Sequence, residues 1–575
     1  MRCLPVALLV LTACEGVIEV VTPIGGTGGG GGIGRVKDDP ACLMPLPPGV
    51  APLTKLSALQ YRNTIRDLLS SSGLGSVATE LGTRLDAVPD DSDVSFRGLD
   101  NRVTDQHFRA WFEVAVAIGD AIEASPARLT ALAGTCAGGA TLSATCADQF
   151  LNGFGRRAWR RPLTSAELAE LRSWNDGQRR PAEAVRAMVI AMLISPRFLN
   201  HLEIEGQSLE ADRRLQLSAF ELAARLSYTY WQSLPDDALL DAAASGALLT
   251  PDGYREQVAR VFADPRTEAT LWRFWSEWLR LEKFTGFATS RPAFAALAAG
   301  EQIGEPGHDH WRDMVDEVRE LTKLYTYGQP GTFEQLVDSD VSVTRSADVA
   351  RLYGVPAWSG AGERPRLTNR KGLFQRAALL VDGLEQTNPF HRGAMTRRAF
   401  LCDPLPQPNP TSLPPGALDP PPFNPMQTTR QRFQAKVDGN NLCQGCHGGF
   451  SDLGYVMEQF DGLGRHRTKE KVFDESSGAL LAELAVDTNA VPFVWSDDER
   501  PVSGPAELNT RMLESGKPQR CFAQQFTTFA LRREPTVTGD ACIAQRLSAD
   551  RATLAEVFQG LALDPAFQQR TVGDP

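Results

Sequence analysis

The chain has 575 residues, 42% of them hydrophobic and 22% charged, proportions of an ordinary globular protein with apolar material for several cores. Its net charge is −11 and its isoelectric point about 5.4. An acidic chain without long Lys/Arg runs is unsuited to holding nucleic acid or anionic lipid headgroups by charge, so neither is expected as a partner.

The first residues carry the pattern of a bacterial lipoprotein signal. Met1-Arg2 is followed by a short apolar run over residues 4–11, then by Leu11-Thr12-Ala13-Cys14. A charged start, an apolar centre and small residues before a cysteine make residues 1–13 a signal peptide and Cys14 the lipidated residue; an ordinary secretory signal is the alternative. No other run approaches the ~20 apolar residues of a spanning helix. The mature protein is therefore expected to be anchored to a bacterial envelope membrane through lipid, facing the periplasm or lying at the outer-membrane surface. Residues 14–51 read as a tether, with eight glycines between Gly25 and Gly34.

The folded part begins with a helical unit over residues 52–130. Tyr61, Ile65, Leu68 and Leu69 share one face of its first helix, and a second helix spans about 108–124. A second helical unit covers 131–205. In it Arg156, Arg157, Arg160 and Arg161 flank Trp159, Pro162 stops a helix, and Thr164 or Ser165 caps the next with Glu167 in its first turn. Ion-paired helix ends explain these arginines better than a ligand site. A central helical domain follows over 212–358. Leu217, Phe220, Leu222, Ala223, Leu226 and Tyr230 form one stripe, Leu271, Trp275, Trp278 and Leu279 another, and such stripes build core. Strand-like alternation is scarce, so the fold class is mainly α: a multidomain helical body with a cytochrome-c-like segment near the C-terminus.

That segment, 365–475, contains a Pro-rich passage at 404–425, which is expected to be extended and stiff. After that passage the segment carries Cys443-Gln444-Gly445-Cys446-His447. Cys-x-x-Cys-His is the attachment signature of a c-type haem: both thiols become thioethers with the haem vinyl groups, and the histidine binds the iron. A zinc site wants four ligands and the chain has no second Cys-x-x-Cys. One covalent haem c on Cys443, Cys446 and His447 is the expected cofactor. Ser451 or Asp452 can cap a following helix, in which Leu453, Val456, Met457 and Phe460 form one face that can lie against a porphyrin. Met457 is a candidate sixth ligand, although its apolar stripe favours packing. Met395, Met426, Met512, His391 and His466 are the other candidates, while His308 and His310 read as solvated. A C-terminal helical unit occupies 480–575.

Export accounts for the other cysteines, because an oxidising compartment favours their pairing. Cys136 and Cys146 bracket a short loop, and Cys521 and Cys542 bracket a helix and a turn. Cys42 with Cys402 follows by elimination. The pair Cys521–Cys542 is expected to brace the helical unit behind the haem segment.

Seven stretches occur in a characteristic order: 56–69, 154–163, Ser195-Pro196-Arg197-Phe198, 221–237, Arg351-Leu352-Tyr353-Gly354-Val355-Pro356, Asn388-Pro389-Phe390-His391-Arg392-Gly393 and 443–467. By these the chain resembles the planctomycete-type family of large secreted multidomain proteins that end in a cytochrome-c-like segment. The resemblance implies a secreted, mostly helical protein with one haem-attachment motif, and it supplies no substrate. The expected function is that of an exported, lipid-anchored c-type haem protein passing electrons to an unidentified redox partner. A haem enzyme with an open distal site and an envelope lipoprotein with accessory haem remain the alternatives. No Ser-His-Asp arrangement, phosphate loop or paired-His zinc motif points to hydrolase or nucleotide chemistry.

Overall fold

The computed structural model describes residues 36–43, 50, 53–92, 96–175, 177–209, 214–405, 413, 415–533, 539–549 and 551–571. The signal peptide, Cys14 and the glycine run lie outside them. Among the described residues no helix is long and apolar enough to cross a membrane.

The N-terminal body starts at β1 (Thr54–Lys55) and α1 (Ala58–Ser71). Ser57 and Gln60 satisfy each other's backbone N–H groups in a capping box, which sets where α1 begins. Tyr61, Ile65, Leu68 and Leu69 point inward from α1 and are at most 1% exposed. Helices α2 (Asp105–Glu123) and α3 (Pro181–Leu193) pack lengthwise. A Cβ at Gly119 would come within 2.9 Å of Arg186 Cγ, so the helices approach this closely because position 119 has none. Strand β2 (Asn200–His201) returns antiparallel to β1. One apolar core runs from Leu56 to Leu199 and takes in Tyr228 and Leu234. The sequence units 52–130 and 131–205 therefore share a core.

The second body begins with the hairpin of β3 (Gln207–Leu209) and β4 (Arg214–Gln216). Its main helices are α4 (Ala219–Tyr230), α5 (Pro265–Trp278), α6 (His310–Lys323), α7 (Pro389–Met395), α8 (Thr429–Asp438), α9 (Asn441–His447) and α10 (Ser451–Tyr455). After the hairpin of β5 (Lys469–Phe473) and β6 (Leu480–Ala485) come α11 (Lys517–Leu531), α12 (Gly539–Ala549) and α13 (Leu554–Leu563). Strand β7 (Gln569–Thr571) closes the chain by pairing with β4. The stripe on α5 meets the C-terminal helices: Trp275 stacks on Phe522 of α11 at 5.3 Å, and Phe274 meets Phe526 at 5.3 Å and Phe558 of α13 at 6.1 Å. One core thus serves 212–358, 365–475 and 480–575 together.

The arginines around Trp159 are mostly paired at the surface. Arg156 meets Asp241, Arg157 meets Asp237, and Arg161 meets Glu167 and Glu205. Arg160 is different: it is 5% exposed and donates to Tyr228 Oη at 2.9 Å and to backbone carbonyls.

Three disulfides join six of the eight described cysteines: Cys42–Cys542, Cys136–Cys146 and Cys402–Cys521. The expected pairs Cys521–Cys542 and Cys42–Cys402 are not formed. Cys521 sits on the side of α11 that faces residues 396–400, with its sulfur 3.2 Å from Ala399 O. Cys542, on α12, faces the turn Pro40–Leu43 instead. Short sequence separation misled here because α11 and α12 turn these two positions toward different neighbours.

Candidate functional site

The Cys-x-x-Cys-His stretch forms α9, the last short helix before a glycine-rich turn. Gln444 Nε2 donates to Asp438 O at 2.9 Å, which ties α9 to the end of α8. Cys443 and Cys446 are both half-buried with free thiols, whereas the other six described cysteines are all paired. The free thiols and the imidazole therefore come from one helical turn and its end.

The imidazole of His447 lies in an aromatic nest. Phe390 of α7 is 4.1 Å from it, ring centre to ring centre, and Phe450 is 4.8 Å away. Phe433 of α8 packs edge-on against Phe390 at 4.8 Å. Burial, with Lys436 adding to it, pushes the His447 pKa below its ordinary value, so the ring is neutral at neutral pH. Ser451 Oγ lies 3.2 Å from Nδ1, and no hydrogen bond engages Nε2 among the described residues. Ser451 is therefore not a helix cap: α10 starts without a side-chain cap, and the hydroxyl serves the histidine.

Two glycines make this arrangement possible. A Cβ on Gly393 of α7 would stand 2.1 Å from Phe450 O, and one on Gly454 of α10 would stand 1.8 Å from Pro389 O. Backbone thus lies on backbone where α7 crosses α10, which brings Phe390 over His447. Two buried arginines hold the crossing. Arg392 donates to the carbonyls of Phe460 and Asp461, each at 2.8 Å. Arg397 donates to Gly449 O just after the motif and to Phe493 O, also at 2.8 Å each.

The proposed porphyrin face is a correction. Leu453, Val456, Met457 and Phe460 are all at most 2% exposed and belong to the main core. Helix α10 ends at Tyr455 and a 3-10 turn, Val456–Gln459, follows, so these four side chains turn inward together. Met457 consequently packs in the core. Met512 is fully buried and Met395 packs against the same core. Of the candidate ligands, Met426, at 75% exposed, and His391 and His466 lie at the surface. His310 is not solvated: it is 2% exposed with Nε2 2.6 Å from Glu301 O, whereas His308 is partly exposed with Nδ1 2.7 Å from Asp348.

The donor set fits covalent haem c. It offers two reduced thiols in the required spacing, a neutral imidazole with its Nε2 free, and aromatic walls. Among the described residues no cluster of three or more His, Cys, Asp and Glu suited to a metal ion occurs. The motif names Cys443, Cys446 and His447, which the structure brings together, but Phe390 over His447, the Ser451 contact and the Gly393–Gly454 crossing were not read from the sequence. Its one signal for them was that 388–393 stood out as an ordered stretch far from the motif.

Three domain families match the chain, each described as a protein of unknown function: PSD5 (DUF1595) over residues 146–203, PSD4 (DUF1592) over 217–355 and PSCyt3 (DUF1588) over 370–470. No curated protein and no solved structure matches it significantly. The cytochrome-like PSCyt3 match contains α7 to α10, and the three matches together cover more than half of the chain. With these domains in this order, the chain belongs to the planctomycete-type family of multidomain proteins that carry a cytochrome-like segment near the C-terminus.

Proposed function

We propose that the protein is an exported, lipid-anchored c-type haem protein that transfers electrons to a redox partner in the bacterial envelope. The observation that carries this reading is the contrast among the described cysteines: six are oxidised in pairs, and the two left as thiols are those of the Cys-x-x-Cys-His motif. Cys443, Cys446 and His447 would hold the haem, and Ser451 orients the imidazole ring. Phe390, Phe433 and Phe450 keep water from the histidine side. Haem, when bound, supplies one-electron chemistry. Cys14 carries the lipid, and the tether joins the body where Val36 N–H donates to Ser515 O at 3.1 Å.

Production in a host that matures c-type cytochromes tests the reading. Haem stain is expected to survive denaturing electrophoresis in the parent and vanish in Cys443→Ser/Cys446→Ser. Absorption spectra of oxidised, reduced and carbon-monoxide-treated protein report whether the sixth position is filled, as an electron carrier requires, or open. Palmitate labelling is expected to depend on Cys14. A parent without haem from a competent host sinks the cofactor, and unchanged labelling in Cys14→Ser sinks the anchor.

A further inference from the structure

Three distant stretches meet beside the β1–β2 pair and enclose a cavity of about 20 Å³. His201 and Glu203 come from the end of β2 and the residues after it, Arg225 from α4, and Arg532 and Arg533 from the end of α11. That volume holds one water-sized group. Nothing in the haem-attachment region or the domain matches assigns this place a ligand.

The charges around the cavity do not balance. Among the described residues Glu203 is the one carboxylate lining it, and it pairs with Arg225. Arg533 makes two bonds to Asp540, at 3.1 and 2.8 Å. Arg532 feels the charge of Glu203 but makes no hydrogen bond to it. Its Nε and Nη1 are covered from solvent and bond to nothing. Arg160 lies close by without a carboxylate partner, donating only to neutral oxygens. Burial and the charges of Arg532, Arg160 and Arg225 keep His201 neutral, so it adds no compensating interaction. A buried guanidinium with two idle N–H groups is destabilising unless an acceptor fills the space, and a negative one suits it best.

The backbone points the same way. Arg532 caps α11 at φ +53°, the left-handed conformation that glycine adopts without strain. An arginine is strained there, and what the position obtains in return is a guanidinium in the cavity.

We propose that the cavity is a binding site for one compact monovalent anion of halide size, held by an N–H of the Arg532 guanidinium. Its water-sized space favours a compact ion over a carboxylate-bearing metabolite or a phosphate. Because the walls come from both bodies and the C-terminal helices, the anion joins them.

The test uses the full chain purified in sodium gluconate and unfolded by heat at constant ionic strength. Replacing gluconate by chloride or bromide is expected to raise the midpoint by a few degrees, saturably, and acetate is expected to do less. Arg532→Gln is expected to abolish the halide-specific rise. A bromide-soaked crystal is expected to give an anomalous peak within hydrogen-bonding distance of Arg532, and this decides the matter if the variant fails to fold. Identical midpoints in all four salts, or a water at Arg532 in the bromide crystal, overturn the proposal.

Discussion

At His447 the choice between two ring nitrogens falls to Ser451, whose hydroxyl lies 3.2 Å from Nδ1. A hydrogen bond from Nδ1–H makes the opposite nitrogen a better donor, so its loss should weaken donation to iron. In haem-loaded protein Ser451→Ala is expected to keep its covalent haem but show a higher reduction potential, read by redox titration. A carboxylate elsewhere illustrates the other kind of residue-scale control. Burial alone would raise the pKa of Glu167, but the bonds from Arg161 and Thr164 N–H and the charges of Arg161 and Arg197 outweigh it and hold the group at about 2. Its ordinary value is 4.5, so this stabilisation is complete above that pH and is lost as the pH falls from 4.5 through 2. Urea unfolding across this acid range should show Glu167→Gln losing part of the parent's pH dependence while being less stable than the parent at neutral pH.

At the scale of elements, the α7–α10 crossing decides whether α9 has a binding surface at all. Both contacts at Gly393 and Gly454 are against backbone, which cannot rotate away as a side chain can. Gly393→Ala or Gly454→Ala is therefore expected to cost about 3 kcal/mol, at the upper end for overpacking, measured by denaturant unfolding. The same variants should separate Phe390 from His447, because Phe390 rides on α7. Gly445, by contrast, has open space where a Cβ would be, so Gly445→Ala should leave stability nearly unchanged by the same measurement.

For the whole molecule, the disulfides connect what the cores leave apart in sequence. Cys402–Cys521 closes a loop of 119 residues that contains the Pro-rich passage and α8 to α10, so the region of the Cys-x-x-Cys-His motif is braced by this bond. Cys42–Cys542 spans 500 residues and fixes the root of the tether against α12. Loop-closure entropy grows slowly with length, giving about 3 kcal/mol for a short loop and about 5 kcal/mol for one of a hundred residues in the chain-entropy model. Removing Cys402 and Cys521 together is expected to lower stability more than removing Cys136 and Cys146, as read by denaturant midpoints on oxidised protein.

Local information sufficed for the helical class, the α1 and α5 stripes and the grouping of Cys443, Cys446 and His447, because helix periodicity and the spacing of two thiols with a histidine are properties of neighbours along the chain. Cys136–Cys146 was legible for the same reason. Which way Cys521 and Cys542 turn, that Leu453, Val456, Met457 and Phe460 face the core, and that Phe390 covers His447 were decided only in three dimensions. Each depends on how helices cross: a side chain's partner is set by the rotation and closeness of two elements, and at α7 and α10 that closeness rests on two glycines 61 positions apart.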